Sequence, residues 1–305
     1  MIGKICGTGS SIPVKIMDND DLSNMVDTND AWIRERTGVE KRHIAESEST
    51  VSMAVEAGRR ALAQTGIRPE ELDMIVVSTM SPDAVLPCTA CEVQKAIGAE
   101  GAVCFDLQAA CTGFIFAYNT AQAYIQSNMC RTVLLIGSER LSRLVDWTDR
   151  GTCILFGDGA GAAVLKAEEG RAYLPVSHSD GQKGEALTCD RYIHMDGRAV
   201  FQFAVTRVPE VIREVLTKNE LIMDDIDYFV LHQANRRIVE AVAKRLRQPI
   251  EKFPMNLQEY GNTSSASIPI LLDEMNRSGK LKKGQKLIVA GFGAGLSWGA
   301  SIVEW

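Results

Sequence analysis

The sequence predicts an α/β protein made of two similar halves, in which short buried strands alternate with amphipathic helices. Three observations predict it. LDMIVVS at 72–78 and IDYFVLH at 226–232 share one pattern of apolar residue, Asp and large apolar run, and their starts lie 154 residues apart (226 − 72). RTVLLIG at 131–137 and QKLIVAG at 285–291 repeat at the same offset (285 − 131 = 154). Alternation of strand and helix within each half is the pattern of a layered domain with much parallel pairing.

The boundary between the halves is expected at 166/167, giving 1–166 and 167–305 in one compact unit. GAAVL at 161–165 and GASIV at 299–303 are offset by 138, so the first half carries 16 additional residues between its last two strands. Helices are expected over 51–65, 111–126, 202–218, 235–247 and 268–278. In the second of these, Phe114, Ala117, Tyr118, Ala121 and Ile125 share a face, so a buried stripe begins just after Cys111. That cysteine sits in LQAACTGF at 107–114, after the apolar strand AVCFDL, and its small neighbours allow close approach to the backbone.

The repeat also relates positions that carry chemistry. Adding 154 to 111 gives 265, inside GNTSSAS at 261–267, another small polar turn before an apolar helix. Ser78, at a strand end, corresponds to His232. Halves packed about a pseudo-twofold axis bring equivalent strand ends and helix starts together, so Cys111, His232 and Asn262 are expected to converge.

Composition limits the alternatives. Of 305 residues, 46% are hydrophobic and 24% charged, which suits a globular chain with a large core. A net charge of −6 and a pI near 5.4 argue against nucleic acid or an anionic membrane as main partner. The start, MIGKICGTGSSIP, lacks the charged lead and apolar core of a secretory signal, and no apolar run of about 18 residues is present. A cytoplasmic protein is expected. The eight cysteines show no secreted-domain spacing and are read as reduced. Cys88 and Cys91 form a Cys-x-x-Cys without a second pair or a nearby histidine, before an ordinary helical pattern, so the pair is read as structural. No metal or cofactor is expected.

A cysteine at a helix N-terminus meets unpaired N–H groups and the positive end of the dipole, which lower a thiol pKa and favour the thiolate. HQAN at 232–235 follows a strand directly and opens the helix NRRIVEAVAKRLRQ, where open α/β sheets place ligand groups, with Asn235 suited to capping. Asn262 lies in YGNTSSASIP. Neutral imidazole and carboxamide N–H donors, with no paired carboxylate, suit stabilisation of an enolate or oxyanion. GFGAGLSWGA at 291–300 reads as a turn between strands whose N–H groups face the site, and FGDGAGAA at 156–163 as its structural relative. Arg236, Arg237, Lys244, Arg245 and Arg247 against the single acid Glu240 make one basic helix in an acidic chain, suited to an acidic partner.

With these pieces assembled, the chain resembles the β-ketoacyl-[acyl carrier protein] synthase III family, the condensing enzymes that start bacterial type II fatty acid synthesis. The likeness rests on DTNDAWIRERTGVEKRHI at 27–44, AACTGF at 109–114, DWTDRGTCILFGDGAGAAVL at 146–165, HQAN, and YGNTSSASIP at 260–269. It implies a thiolase-like fold in five α-β-α-β-α layers and a homodimer. It implies that Cys111 takes an acyl group from a starter acyl-CoA, and that His232 and Asn262 stabilise the enolate formed as malonyl-carrier protein loses carbon dioxide. The Cys111 and Ala294 N–H groups would form the oxyanion hole and Phe292 would pack beside the sulfur. Thr28, Trp32, Arg36 and Arg150 would hold the nucleotide end of coenzyme A, and Phe201, Ala234 and Asn235 its pantetheine. Leu141 and Leu296, with Leu86 from the partner, would line the acyl pocket, and Arg236 and Arg237 would meet the carrier protein. Three features depart from the family: Ala294 stands where glycine is common, Leu86 and Leu296 where phenylalanine is common, and the segment 179–196 is short. Within the same fold, a synthase for another starter and a non-catalytic carrier-protein partner are the competing readings.

Overall fold

The computed structural model describes all residues, 1–305. Nine strands make two principal sheets. The first contains β1 (Ile2–Ser11), β2 (Met74–Ser78), β3 (Val103–Leu107), β4 (Thr132–Glu139) and β5 (Gly159–Glu168) in the order β1-β5-β4-β2-β3. The second contains β6 (Val176–Ser179), β7 (Tyr228–Leu231), β8 (Lys286–Gly293) and β9 (Ser297–Glu304) in the order β7-β8-β9-β6.

The repeat reappears in the register. β2 runs parallel to β4 with Met74 opposite Val133, and β7 runs parallel to β8 with Tyr228 opposite Leu287, each partner displaced by 154. β4–β5 and β8–β9 are then both antiparallel. Residues 140–158 connect the first of these pairs and 294–296 the second, so the 16 extra residues lie in one long connection. β3 has no counterpart in the second sheet and forms a free edge of the first.

Seven principal helices build the layers: α1 (Asp30–Thr37), α2 (Thr50–Ala63), α3 (Thr89–Ile97), α4 (Gly113–Gln126), α5 (Gly197–Lys218), α6 (Arg236–Leu246) and α7 (Ser267–Arg277). α2 and α3 cover the outer face of the first sheet, α5 and α6 that of the second, and α4 and α7 lie between the sheets. This is the five-layer thiolase arrangement, with separate apolar clusters in the two outer layers and the centre. On α6, Ile238, Val239, Val242, Ala243 and Leu246 point into the outer cluster. Each of the larger side chains contributes about 1.5–3 kcal/mol by leaving water, and the arginines are left on the exposed face. The five expected helices are present. α5 begins five residues earlier than expected, at Gly197, because Asp196 caps it by accepting from the Arg198 and Ala199 N–H groups. No helix is long and apolar enough to cross a membrane.

Both central helices start the same way. Ala110–Thr112 and Ser264–Ala266 are single 3₁₀ turns that run into α4 and α7, and each opens on a left-handed residue, Ala110 at φ 46° and Ser264 at φ 50°. These two positions again differ by 154. A Cβ penalty of roughly 1 kcal/mol is accepted at both to aim the next residue, Cys111 or Ser265, into the interface between the halves.

Candidate active site

A cavity of about 530 Å³ opens where the two halves meet, and Cys111, His232 and Asn262 all line it. The long 140–158 connection supplies Leu141, Gly151, Ile154, Leu155 and Phe156 to its wall, and the short 179–196 segment supplies Leu187, Thr188, Cys189, Ile193 and Met195. No acidic side chain lines the cavity, whereas Arg36, Arg198 and Arg237 do, so it suits an anionic ligand.

Cys111 stands at the start of α4 and is buried. The expected lowering of its pKa is reversed in this site: burial pushes the thiol up to about 12, and the charge of Glu139 adds to the rise. The Ser264 hydroxyl acts in the other direction. That hydroxyl has no partner of normal hydrogen-bond geometry and lies close enough to the sulfur to offset part of the desolvation.

His232 lies just beyond β7, and burial pushes its pKa down to about 3, so the imidazole is neutral. Its Nδ1 is 2.7 Å from Ser267 Oγ, which also accepts from the Gln233 N–H at 3.3 Å. A buried serine that accepted from both would leave its own O–H unpaired. Donation from Ser267 to Nδ1 avoids that cost and places the ring proton on Nε2. Phe292 meets the ring edge-on at a centroid distance of 5.7 Å.

Asn262 is oriented by the same logic. Its backbone bridges to the Leu155–Gly157 segment, and its Oδ1 accepts from the Ser264 N–H at 2.8 Å. With the oxygen engaged, the Nδ2 amide hydrogens are the free end. A turn of one sequence, NTSSAS, thus aims both donors: Ser264 fixes the amide and Ser267 the imidazole.

The turn between β8 and β9 closes the site from the other half. Gly293 packs so tightly on the cysteine turn that an added Cβ would lie 2.9 Å from the Cys111 N and 3.1 Å from the Thr112 N. Ala294 has no left-handed backbone, so its Cβ causes no strain of that kind. Ser297 Oγ reaches the Ala294 carbonyl at 3.1 Å and Thr112 Oγ1 at 2.7 Å, fastening this turn to the one carrying Cys111.

The other expected residues divide into those in the cavity and those outside it. Arg36, Leu141, Phe201, Ala234, Asn235, Arg237, Phe292 and Ala294 line it. Trp32, on α1, is not among the lining residues but lies beneath two guanidinium groups, that of Arg36, which does line the cavity, at 5.4 Å and that of Arg150 at 5.0 Å from the ring centroid. Thr28 Oγ1 is buried without a partner. Arg237 stacks on Phe201 at 5.3 Å, and Asn235 caps α6 while its amide donates to the Arg36 carbonyl. Arg236 is held away from the cavity by the Arg34 carbonyl and Glu240. Leu86 is 81% exposed on its own chain. Leu296 is a correction: it does not line this cavity. Its backbone pairs with Asp180 in both directions, which buries its side chain in the outer apolar cluster of the second half.

Sequence reading missed Ser264, Ser267, Glu139, Thr112 and Ser297. The repeat offers a signal for three of them, because Ser264, Ser267 and Glu139 correspond to Ala110, Gly113 and Gly293, residues that surround Cys111. Glu139 is fully buried and accepts from Ser81 Oγ at 2.6 Å, Ser265 Oγ at 2.8 Å and the Met80 N–H at 3.1 Å. Burial raises its pKa.

Comparison with known proteins agrees with this geometry. Residues 105–181 match the family model for 3-oxoacyl-[acyl-carrier-protein] synthase III, and 216–305 match the model of its C-terminal part. The chain is 47% identical to the β-ketoacyl-[acyl-carrier-protein] synthase III of Clostridium novyi, covering 99% of this chain and 98% of that one. Among solved structures, 3-oxoacyl-[acyl-carrier-protein] synthase III from Aquifex aeolicus superposes with a TM-score of 0.97 at 44% identity, covering 99% of this chain and 100% of that one. A priming β-ketosynthase from the R1128 polyketide pathway gives 0.95 at 36% identity, with 99% and 96% covered.

Proposed function

The chain belongs to the 3-oxoacyl-[acyl-carrier-protein] synthase III family, and from that membership we infer how its own residues carry the reaction. It is an acyltransferase that performs the initiating condensation of fatty acid synthesis. The observation that carries the assignment of roles is the single cavity in which a buried thiol meets two N–H donors turned inward by Ser267 and Ser264.

In the first half-reaction, Cys111 sulfur attacks the thioester carbonyl of a starter acyl-CoA. The Cys111 and Ala294 N–H groups hold the tetrahedral oxyanion, and the coenzyme A thiolate departs with the proton the cysteine gives up. Because the thiol proton ends on coenzyme A, no permanent base is required, which fits a site without carboxylates. The resulting acyl-Cys111 thioester splits one hard step into two.

In the second half-reaction, the malonyl thioester carbonyl of malonyl-carrier protein accepts from His232 Nε2–H and Asn262 Nδ2–H. The bond to the carboxylate breaks, carbon dioxide leaves, and its electron pair becomes an enolate held by the two neutral donors. Phe292 beside the imidazole keeps the carboxylate in apolar surroundings and favours its loss. The enolate carbon attacks the acyl carbonyl, the tetrahedral intermediate returns to the oxyanion hole, and Cys111 leaves as a thiolate and regains a proton. The products are β-ketoacyl-carrier protein, coenzyme A and carbon dioxide.

Arg36 lines the cavity and packs with Arg150 on Trp32, and with Thr28 these residues would take the nucleotide end of coenzyme A, while the pantetheine would pass Phe201, Ala234 and Asn235. The exposed basic face of α6 takes the acidic carrier protein. The exposed Leu86 and the free edge of β3 suit a homodimer in which Leu86 closes the partner's acyl pocket beside Leu141. These steps draw on the chain's own residues and call for no metal.

The test is condensation of acetyl-CoA and branched acyl-CoAs with malonyl-carrier protein, with intact mass recorded after the starter alone. An acyl mass gain that disappears in Cys111→Ser supports the roles; product formation by Cys111→Ser overturns them.

A further inference from the structure

Cys88 and Cys91 were read from sequence as a structural pair. The structure places their sulfurs 3.4 Å apart at the start of α3. Cys88 caps the helix with extended backbone, and the Cys91 N–H donates to the Cys88 carbonyl at 3.1 Å, so a single turn holds the two residues together. Both are partly exposed and both are free thiols. The sulfurs need to approach by only about 1.4 Å to reach the ~2.05 Å length of a disulfide. A third thiol, Cys104 on β3, also lies within hydrogen-bond reach of Cys91.

We propose that Cys88 and Cys91 form a reversible dithiol–disulfide couple that sets how the Leu86 loop is anchored. The oxidant is a low-molecular-weight disulfide. A thiolate of the pair attacks one sulfur of it, forming a mixed disulfide and expelling one thiolate. The second cysteine then attacks the protein-bound sulfur and expels the other. Two protons and two electrons leave the pair, and the oxidant's sulfur–sulfur bond is reduced to two thiols.

The position gives this couple its consequence. Leu86 and Pro87 run directly into Cys88, and Val85 and Leu86 are 88% and 81% exposed. The start of the loop is tied down by Asp83, whose carboxylate accepts from the Thr50 and Val51 N–H groups of α2. Within one chain its end is tied through Cys88. The first turn of α3 is itself fixed, because Asp106 accepts from the Thr89 and Ala90 N–H groups at 2.8 Å each. Closing the disulfide therefore fastens Cys88, at the end of the loop, to the first turn of α3. Oxidation of Cys91 is resisted in the resting dithiol, since the hydrogen bond with Cys88 and burial raise its pKa.

The full chain carrying Cys111→Ser, so that the candidate nucleophile is silent, is equilibrated with graded ratios of reduced to oxidised glutathione and analysed by intact mass and by hydrogen exchange. The expected result is loss of the mass of two hydrogens, reversed by excess reductant, together with slower exchange across residues 82–88. Adding Cys88→Ser or Cys91→Ser abolishes the loss and Cys104→Ser retains it. No loss under the most oxidising ratio, a loss that survives Cys88→Ser, or unchanged exchange in the oxidised form overturns the proposal.

Discussion

Ser267 shows how much of the chemistry rests on one oxygen. Its hydroxyl has one acceptor, His232 Nδ1, and that bond keeps the proton on Nε2. Replacing it with alanine frees the ring to place its proton on Nδ1, turning the donor toward the cavity into an acceptor. Ser267→Ala is expected to slow malonyl decarboxylation roughly 100-fold, in the range for loss of one oxyanion donor, while acylation of Cys111 changes little. Ser267→Thr should restore much of it. Separate assays of decarboxylation and of acyl mass gain would show the split; an equal loss in both would mean a packing defect instead. His232 also carries a cost that acid reveals. Its folded pKa of about 3 lies below the ordinary 6.5, so the unfolded chain binds the proton more readily. The folded state therefore loses stability as pH falls through 6.5 toward 3. Urea unfolding should show about 2 kcal/mol of this loss between about pH 7.5 and about pH 5, absent in His232→Gln.

At the scale of elements, the two 3₁₀ turns are equivalent in backbone and opposite in use. Cys111 and Ser265 occupy matching positions, yet only one faces a cavity. The difference lies across the interface, at the ends of β8 and β4. Gly293, with no side chain, leaves the Cys111 N–H open, whereas its counterpart Glu139 fills the matching space and binds Ser265 Oγ at 2.8 Å. Gly293→Ala is expected to reduce Cys111 acylation by about 100-fold with the overall secondary structure retained, because the added Cβ, 2.9 Å from the Cys111 N, forces the turn carrying Cys111 to shift locally. Circular dichroism and the acyl mass gain would check both halves of that expectation. The α6 helix is the other element with two faces. Reversing charge at Arg236 and Arg237 should raise KM for malonyl-carrier protein at least about tenfold more than KM for acyl-CoA, and the excess should shrink with salt. Equal effects on both substrates would place the carrier protein elsewhere.

Across the whole molecule, the duplicated architecture explains which parts were legible in advance. The 154-residue repeat, the α/β alternation and the helix stripes follow from side-chain periodicity, which is local and survives without coordinates. They located seven of the nine sheet strands, missing β1 and β6, together with the five expected helices and the meeting of Cys111, His232 and Asn262 in one cavity. The raised Cys111 pKa, the burial of Leu296 and the roles of Ser264 and Ser267 were not legible in the same way. Desolvation and hydrogen-bond direction depend on what lies across an interface, and residues more than 100 positions apart form it. The 16 extra residues were countable from the sequence, but only the folded chain shows them as a cavity wall. What the sequence alone determined is therefore the pair of similar halves and the identity of three converging side chains, since both are written in spacing. Which of the two equivalent turns became a site, and which way its donors point, was decided by tertiary packing, because a glycine or a glutamate opposite each turn either leaves room for a substrate or fills it.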